Sequence, residues 1–283
     1  VQTNSGARVP DYARPESLPQ ALRLMSQGGW RVLAGGTDLY PGAGASLSGP
    51  MLDLGGLEEL RGIRMGQGLR IGAGVTWAEI VAADLPPACR ALQQAAGLVG
   101  GRQIQNAGTI GGNLCNASPA ADGVPPLLAL GAEVELAAPS GSRRLALGDF
   151  LLGPRRTALG PDEVLTAILI PEAALSGRSA YVKLGARAHL VISIAMAAAR
   201  LEVAAGRVTE AALAVGSCSP VAVRLPGIEA ALRGAPVAEA VERIRAEDVA
   251  AALSPLDDVR ATAEYRRVAA AELVRRAVAE ALS

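Results

Sequence analysis

Two stretches decide the reading of this chain: VLAGGTDL at residues 32–39 and GTIGGNLCNASPAAD at residues 108–122. In the first, a short apolar run enters the pair Gly35 and Gly36 and continues into Thr37 and Asp38. Successive glycines bare their backbone N–H groups, and a threonine hydroxyl can donate to an anionic oxygen, so the pattern suits a pyrophosphate cradle. Alone, a glycine pair after a strand is an ordinary turn, and the spacing matches neither the GxGxxG nor the Walker pattern. The second stretch mixes glycines with Thr109, Asn113, Asn116, Ser118 and Asp122. Such a stretch buries little apolar surface and is costly to order as a loop unless something fills it. One diphosphate-bearing ligand held from two sides accounts for both loops together.

Outward from these loops, apolar spacing predicts a short amphipathic helix over 17–27, strands over 31–34 and 51–54, and a Gly-, Pro- and Ser-rich loop between them. A strand is expected over 69–74, a capped helix over 76–83, another helix over 86–97, and then a long polar, glycine-rich stretch from 100 to 122. Beyond it the pattern gives a helix over 124–130, strands over 132–138 and 143–147 around the turn at 139–141, and a strand over 164–170 closed by Pro171. The composition changes there. Three extended segments, 181–187, 191–203 and 208–217, suggest an antiparallel meander, and from Gly227 onward Ala, Leu, Glu and Arg make the pattern helical to the end. A boundary is expected near 171–179, and the C-terminal helices are read as packing either internally or against a partner.

Composition removes several function classes. The 283 residues carry 27 Lys plus Arg against 27 Asp plus Glu, with a formal net charge of zero, so there is no electrostatic footprint for nucleic acid or an anionic membrane. Two Trp, four Tyr and one Phe supply no stacking platform for single strands, and the core must be aliphatic. No apolar run reaches the roughly 18 uncharged residues of a membrane span, and residues 1–14 lack the features of an export signal. Three scattered cysteines, with no CxxC, fit neither a disulfide framework nor a metal or cluster site, which suggests a reducing cytoplasm. No metal ligands are assigned.

Together VLAGGTDL, GTIGGNLCNASPAAD, DEVLTAILIP (162–171), YVKLGAR (181–187) and SPLDDVRATAEYRRVAAAELV (254–274) resemble the FAD-binding, or medium, subunit of the molybdenum hydroxylases, the family of xanthine dehydrogenase and aerobic carbon monoxide dehydrogenase. The resemblance runs in order from about Pro10 to the C-terminus. It implies an α+β chain with an FAD-binding domain of the vanillyl-alcohol-oxidase (PCMH) type over 1–173, in subdomains of about 1–54 and 55–173. A smaller C-terminal domain over 174–283 would carry a three-stranded antiparallel sheet and helices. Noncovalent FAD would be wrapped by Val32, Leu33, Ala34, Gly35, Gly36, Thr37, Asp38 and Leu39, with Thr109, Ile110, Gly111, Gly112 and Asn113 as the second cradle. Asp122 matches an acidic position that contacts FAD, Leu165 an apolar flavin contact, and Lys183 a lysine near the ring, where a cation stabilises negative charge on a reduced flavin. Tyr181 is read either as resting against the isoalloxazine or as ordinary packing.

Departures from the family pattern carry information too. Val99 stands where the xanthine dehydrogenase branch has a stacking Phe, and residues 187–191 lack that branch's acidic side chains, which speaks against NAD as acceptor. The scattered cysteines exclude the cluster that some relatives insert in this subunit, Cys115 is assigned a backbone role, and the single histidine, His189, is given none. No catalytic acid, base or nucleophile is assigned. The resemblance implies electron transfer, with molybdenum cofactor and [2Fe-2S] clusters held by a large and a small partner subunit in a dimer of heterotrimers, and a soluble, quinone- or NAD-type acceptor. The rivals are a self-contained FAD oxidoreductase with the same flavin fold and a scaffold subunit that no longer holds FAD.

Overall fold

A computed structural model describes residues 12–43 and 49–283. The expectations for an N-terminal leader and for the middle of the loop before Pro50 fall partly on residues 1–11 and 44–48, outside the described residues. The chain opens with β1 (Tyr12–Ala13), α1 (Leu18–Met25), β2 (Arg31–Leu33) and β3 (Met51–Asp53), where β3 lies between β1 and β2 and pairs with both in parallel. Helix α1 forms as the spacing predicts, burying Ala21, Leu22 and Met25 over Trp30, Leu52 and Leu54.

Next come β4 (Ile63–Gly66), β5 (Gly68–Gly72), α2 (Trp77–Ala82), α3 (Arg90–Leu98), α4 (Arg102–Ala107), α5 (Ile110–Asn116), α6 (Val124–Ala129), β6 (Glu133–Ala138), β7 (Gly141–Ala146), α7 (Leu147–Phe150), β8 (Leu151–Gly153), β9 (Arg156–Thr157) and β10 (Val164–Ile170). Among the described residues β4, β5, β10, β6 and β7 form an antiparallel sheet in that order, with β10 at its centre. The burial of β10 on nearly every residue follows from this position and explains why its sequence is apolar but for Thr166.

The expectation of a long irregular stretch over 100–122 is corrected: it contains α4 and α5. Gly111 and Gly112 weaken helix propensity, yet Thr109 caps α5 by accepting from the Gly112 N–H at 3.1 Å, and the apolar side chains of Ile110 and Leu114 are fully buried. Tertiary burial outweighs the local cost.

The chain ends with β11 (Arg178–Leu184), β12 (Ala195–Ala204), β13 (Arg207–Gly216), β14 (Val223–Arg224), α8 (Pro226–Leu232), α9 (Ala246–Ala251) and α10 (Ala263–Leu282). The meander is present, but the expected three-stranded sheet is corrected to four strands among the described residues, in the order β11, β12, β13, β14. The fourth strand is two residues long, too short to leave a periodic signal. Strand β12 also starts four residues later than expected, because residues 185–193 leave the sheet. Helix α10 packs internally: Ala270, Leu273, Val274, Ala277 and Val278 bury against the sheet residues Ala197, Ala199 and Leu213.

The opposite face of that sheet meets the N-terminal part of the chain. Tyr181, Met196, Ala198 and Ala212 pack on Ala91 and Ala95 of α3 and Ala129 of α6. Small side chains on both sides let sheet and helices approach closely. Polar bonds cross the same seam. Ser179 accepts from the Ala91 N–H at 2.8 Å, Arg224 donates to the Leu128 carbonyl at 3.0 Å, and the Ser217 N–H donates to the Pro119 carbonyl at 3.0 Å.

Candidate functional site

The site is built from the two glycine loops and this seam. The first loop leaves β2 at Leu33 and turns at Gly36, whose φ of +69° lies in the left-handed region that glycine adopts without strain. At Gly35 an added Cβ would lie 1.8 Å from the Ala107 carbonyl oxygen, so the loop rests directly on the turn before Thr109. Thr37 Oγ1 sits 3.3 Å from where a Cβ on Gly108 would stand, on that same turn. The two loops therefore touch. Val32 and Asp38 are exposed, Leu33 is buried in the core, and Ala34, Thr37 and Leu39 are half-buried.

Backbone bonds fix the second loop. Ile110 N–H donates to the Val75 carbonyl and Gly111 N–H to the Ala73 carbonyl, each at 2.9 Å, while Ala73 N–H donates to the Thr166 carbonyl of β10 at 2.9 Å. This ladder ties the loop to β10, whose Leu165 is buried in the same core as Ile110. The glycines divide by task. A Cβ on Gly111 would lie 2.7 Å from Ala73, so glycine there serves packing within the protein, whereas a Cβ on Gly112 would meet only Thr109 Oγ1, at 2.9 Å. Gly112 alone of the pair keeps its Cα face free of backbone neighbours. The indole of Trp77 underlies the loop, with Cδ1 3.3 Å from the Cβ position of Gly108 and Cη2 2.6 Å from that of Gly123. Beside Gly123, Asn113 Oδ1 is buried without a hydrogen-bond partner.

Asp122, one residue before Gly123, is the hub of a buried polar network. Its Oδ1 accepts from the hydroxyls of Tyr181 and Ser193, both at 2.7 Å, and its Oδ2 accepts from Lys183 Nζ at 2.9 Å. Lys183 also donates to the Leu98 carbonyl at 3.3 Å. The side chains of Lys183 and Asp122 are 7% and 11% exposed. Burial, the neighbouring Asp122 charge and its hydrogen bond push the Tyr181 phenol well above its usual range, so it stays a donor. Tyr181 is 3% exposed and packs with Met196, Ala91, Ala95 and Ala129, and it reaches Asp122 through its hydroxyl. No described residues group three or more of His, Cys, Asp and Glu in a way that could hold a metal ion.

The structure thus brings together the first loop, the second loop and the Asp122–Lys183 pair through a continuous run of contacts: Gly35 and Thr37 on Ala107 and Gly108, Trp77 beneath, Gly123 and Asp122 beyond. Sequence reasoning missed Ser193, Trp77 and Arg266. Arg266, 4% exposed on α10, donates to the Ile194 and Ser217 carbonyls at 2.6 and 2.7 Å and to Asp258 Oδ1 at 2.6 Å. One signal was countable: Lys183 is the single lysine of the chain, every other cation being Arg.

The fold and loops define an FAD-binding class, and comparison with known proteins gives the same answer. The chain matches the FAD binding domain in molybdopterin dehydrogenase over residues 5–173 and the CO dehydrogenase flavoprotein C-terminal domain over residues 180–281. It belongs to this family of FAD-containing oxidoreductase subunits. Its relatives include the nicotine 6-hydroxylase medium subunit of Paenarthrobacter nicotinovorans, 32% identical over 95% of this chain and 96% of that one. The carbon monoxide dehydrogenase medium chain of Afipia carboxidovorans is 32% identical over 96% of each. Among solved structures, a chain of the Cu,Mo-CO dehydrogenase in its cyanide-inactivated form superposes with a TM-score of 0.88 at 33% identity, covering 96% of this chain and 97% of that one.

The residues fit the cofactor. Two touching loops carry a glycine, Gly112, whose added Cβ would meet only a side-chain hydroxyl, the buried Asn113 oxygen without a partner lies beside them, and a buried ammonium stands on the same strip. Three donors on Lys183 meet two acceptors within the protein, leaving one N–H unspent.

Proposed function

We propose that this chain is the FAD-binding electron-transfer subunit of a molybdenum hydroxylase. It takes electrons from iron-sulfur clusters of a small partner subunit and delivers them to an external acceptor, while substrate is oxidised at a molybdenum cofactor in a large partner subunit. The observation that carries this reading is the junction of both glycine loops with a buried, single lysine. The relatives support it, because they are themselves medium subunits or chains matched over nearly their whole length. When bound, FAD supplies a redox centre that takes up and releases electrons.

In this reading Gly36, Thr37 and the stretch from Thr109 to Asn113 line the diphosphate; the N–H groups of Ile110, Gly111, Gly112 and Asn113 are already bonded within the protein, so this stretch contributes shape and close approach. Lys183 places a positive charge beside the flavin, where it stabilises the negative charge of the reduced ring. Leu165 lies behind the ring and Asp122 fixes Lys183. The first part of the chain, 1–173, is assigned the flavin fold shared with vanillyl-alcohol oxidase, and 174–283 the domain that closes the site. The assembly is a dimer of heterotrimers in the cytoplasm, and it passes electrons to a soluble, quinone- or NAD-type acceptor, the lack of acidic side chains over residues 187–191 speaking against NAD. The three cysteines, all free among the described residues, suit a reducing compartment.

The first experiment is the visible spectrum of the purified chain, with heat-released flavin identified as FAD or FMN, followed by co-purification with partner subunits. Releasable FAD together with iron, sulfide and molybdenum in the co-purified complex is the expected result. A colourless chain that takes up no added FAD would overturn the proposal in favour of a scaffold, and an FAD-loaded chain that oxidises a small substrate without partners would favour the self-contained oxidoreductase.

A further inference from the structure

We infer that Ser193 is a positioning residue: its hydroxyl, with that of Tyr181, locks the Asp122 carboxylate so that Lys183 presents its unspent N–H at one fixed place toward the flavin. The inference deepens the flavin-binding reading and rests on it for the identity of the ligand, but its geometry stands independently. Both hydroxyls donate to the same oxygen, Oδ1, at 2.7 Å, which leaves Oδ2 to Lys183 at 2.9 Å. A carboxylate gripped on one oxygen by two donors cannot swing about its Cβ–Cγ bond to offer Lys183 a different geometry without breaking both bonds.

Ser193 is itself held. It is 1% exposed and lies where residues 185–193 rejoin the sheet. The next residue, Ile194, donates its N–H to the Leu184 carbonyl at 2.8 Å, and its own carbonyl accepts from Arg266 at 2.6 Å. Arg266 in turn is tied to Asp258 at 2.6 Å and to the Ser217 carbonyl at 2.7 Å. The Ser193 hydroxyl is thus anchored by α10 and by β11, and it crosses the seam to a carboxylate on the N-terminal side. A serine needed only to fill space would not require this double backbone anchor.

The choice of lysine supports the same conclusion. In a chain whose other cations are all arginine, the site uses the compact ammonium, whose donors can be divided among separate acceptors. Such a group has no fork geometry of its own. Its orientation must come from its partners, and Asp122 is the charged one.

The single lysine also provides the test. In the full-length chain labelled with 15N-lysine, one side-chain ammonium signal is expected, protected from exchange by burial. Ser193→Ala and Tyr181→Phe should each shift that signal and speed its exchange by roughly three- to ten-fold, as loss of one charge-assisted hydrogen bond implies. Ser193→Thr should restore the original signal, and Ser179→Ala, which removes a buried hydroxyl elsewhere on the seam, should leave it unmoved. With FAD bound, Ser193→Ala should lower the flavin midpoint potential in the same direction as Lys183→Met and by less. If Ser193→Ala and Ser179→Ala perturb the ammonium equally, or if Ser193→Ala changes neither the signal nor the potential, the inference is overturned. A chain that takes up no FAD would instead defeat the flavin reading, while the ammonium signal would still decide the role of Ser193.

Discussion

Lys183 and Asp122 form a buried pair whose value lies in arrangement more than in net stability. Removing both charges from water is costly, and the mutual attraction repays that cost only where further hydrogen bonds complete the shells, as the Tyr181 and Ser193 hydroxyls and the Leu98 carbonyl do here. Asp258, at the far end of the network, behaves differently because it is partly exposed. Partial burial works against its charge, yet the Arg260 N–H, the Arg266 guanidinium and the Ala261 N–H prevail and bring its carboxyl from an ordinary 3.8 to about 2. A carboxyl with a depressed folded-state pKa adds stability that is present in full above its unfolded value and is lost as pH falls through the folded one. Asp258→Asn should therefore lower denaturant stability at pH 7, and the gap between the two proteins should narrow steadily below about pH 4. Denaturant titrations of both proteins from pH 7 to pH 3 check this; a gap constant over that range would show that the Asp258 charge adds nothing. At this scale the sequence named Asp122 and Lys183 as neighbours of one ligand only through a family resemblance. Their bond to each other, and the hydroxyl of Ser193, join residues far apart in the chain, and no local pattern encodes such a pairing.

Among the elements, α2 and α5 carry the site, and the sequence was unequally legible in the two. Helix α2 announces itself: Thr76 accepts from the Glu79 N–H, and Glu79 reaches back to the Thr76 N–H at 2.6 Å, a capping box that also fixes the indole of Trp77 under the second loop. Helix α5 does not, because Ile110-Gly111-Gly112-Asn113 reads as a loop to any propensity argument. What makes it helical is the Thr109 cap and the burial of Ile110 and Leu114, while the Ala73 backbone and side chain lie where a Cβ on Gly111 would have to go and so require glycine there. The glycines of the two loops should separate by experiment. Gly35→Ala drives a methyl into the Ala107 carbonyl and should cost about 3 kcal/mol, with FAD retention lost alongside stability. Gly112→Ala meets only a cap hydroxyl, so its stability cost should stay near the roughly 1 kcal/mol of a helix cap while FAD retention still falls. Thermal melts and flavin content of both variants check the contrast. Equal retention of FAD in Gly112→Ala and the parent would remove Gly112 from the cradle.

On the scale of the whole molecule, the candidate site belongs to neither part of the chain alone. Asp122 and the second loop come from the N-terminal side, Lys183, Tyr181 and Ser193 from the C-terminal sheet, and an alanine-lined seam seals them together. Because that seam buries apolar surface and completes the Asp122 shell at once, unfolding should be a single cooperative event. Near-ultraviolet signals from the tryptophans and far-ultraviolet signals from the backbone should coincide in one transition; two separated transitions would show that the two parts fold independently. None of the described helices is long and apolar enough to cross a membrane, in keeping with the absence of an apolar run in the sequence. By itself the sequence determined most strands and helices, the glycine turn at Gly35 and Gly36 and the change of composition near Pro171, because these rest on periodicity and on residues whose backbone preferences are local. Only the tertiary structure decided that the polar stretch before Asp122 is helical, that a fourth strand joins the C-terminal sheet, that Tyr181 faces inward, and that Ser193 bonds Asp122 while Arg266 bonds the Ile194 carbonyl. Each of those outcomes depends on burial and hydrogen bonding between residues distant in sequence, where the free energy of packing outweighs local propensity.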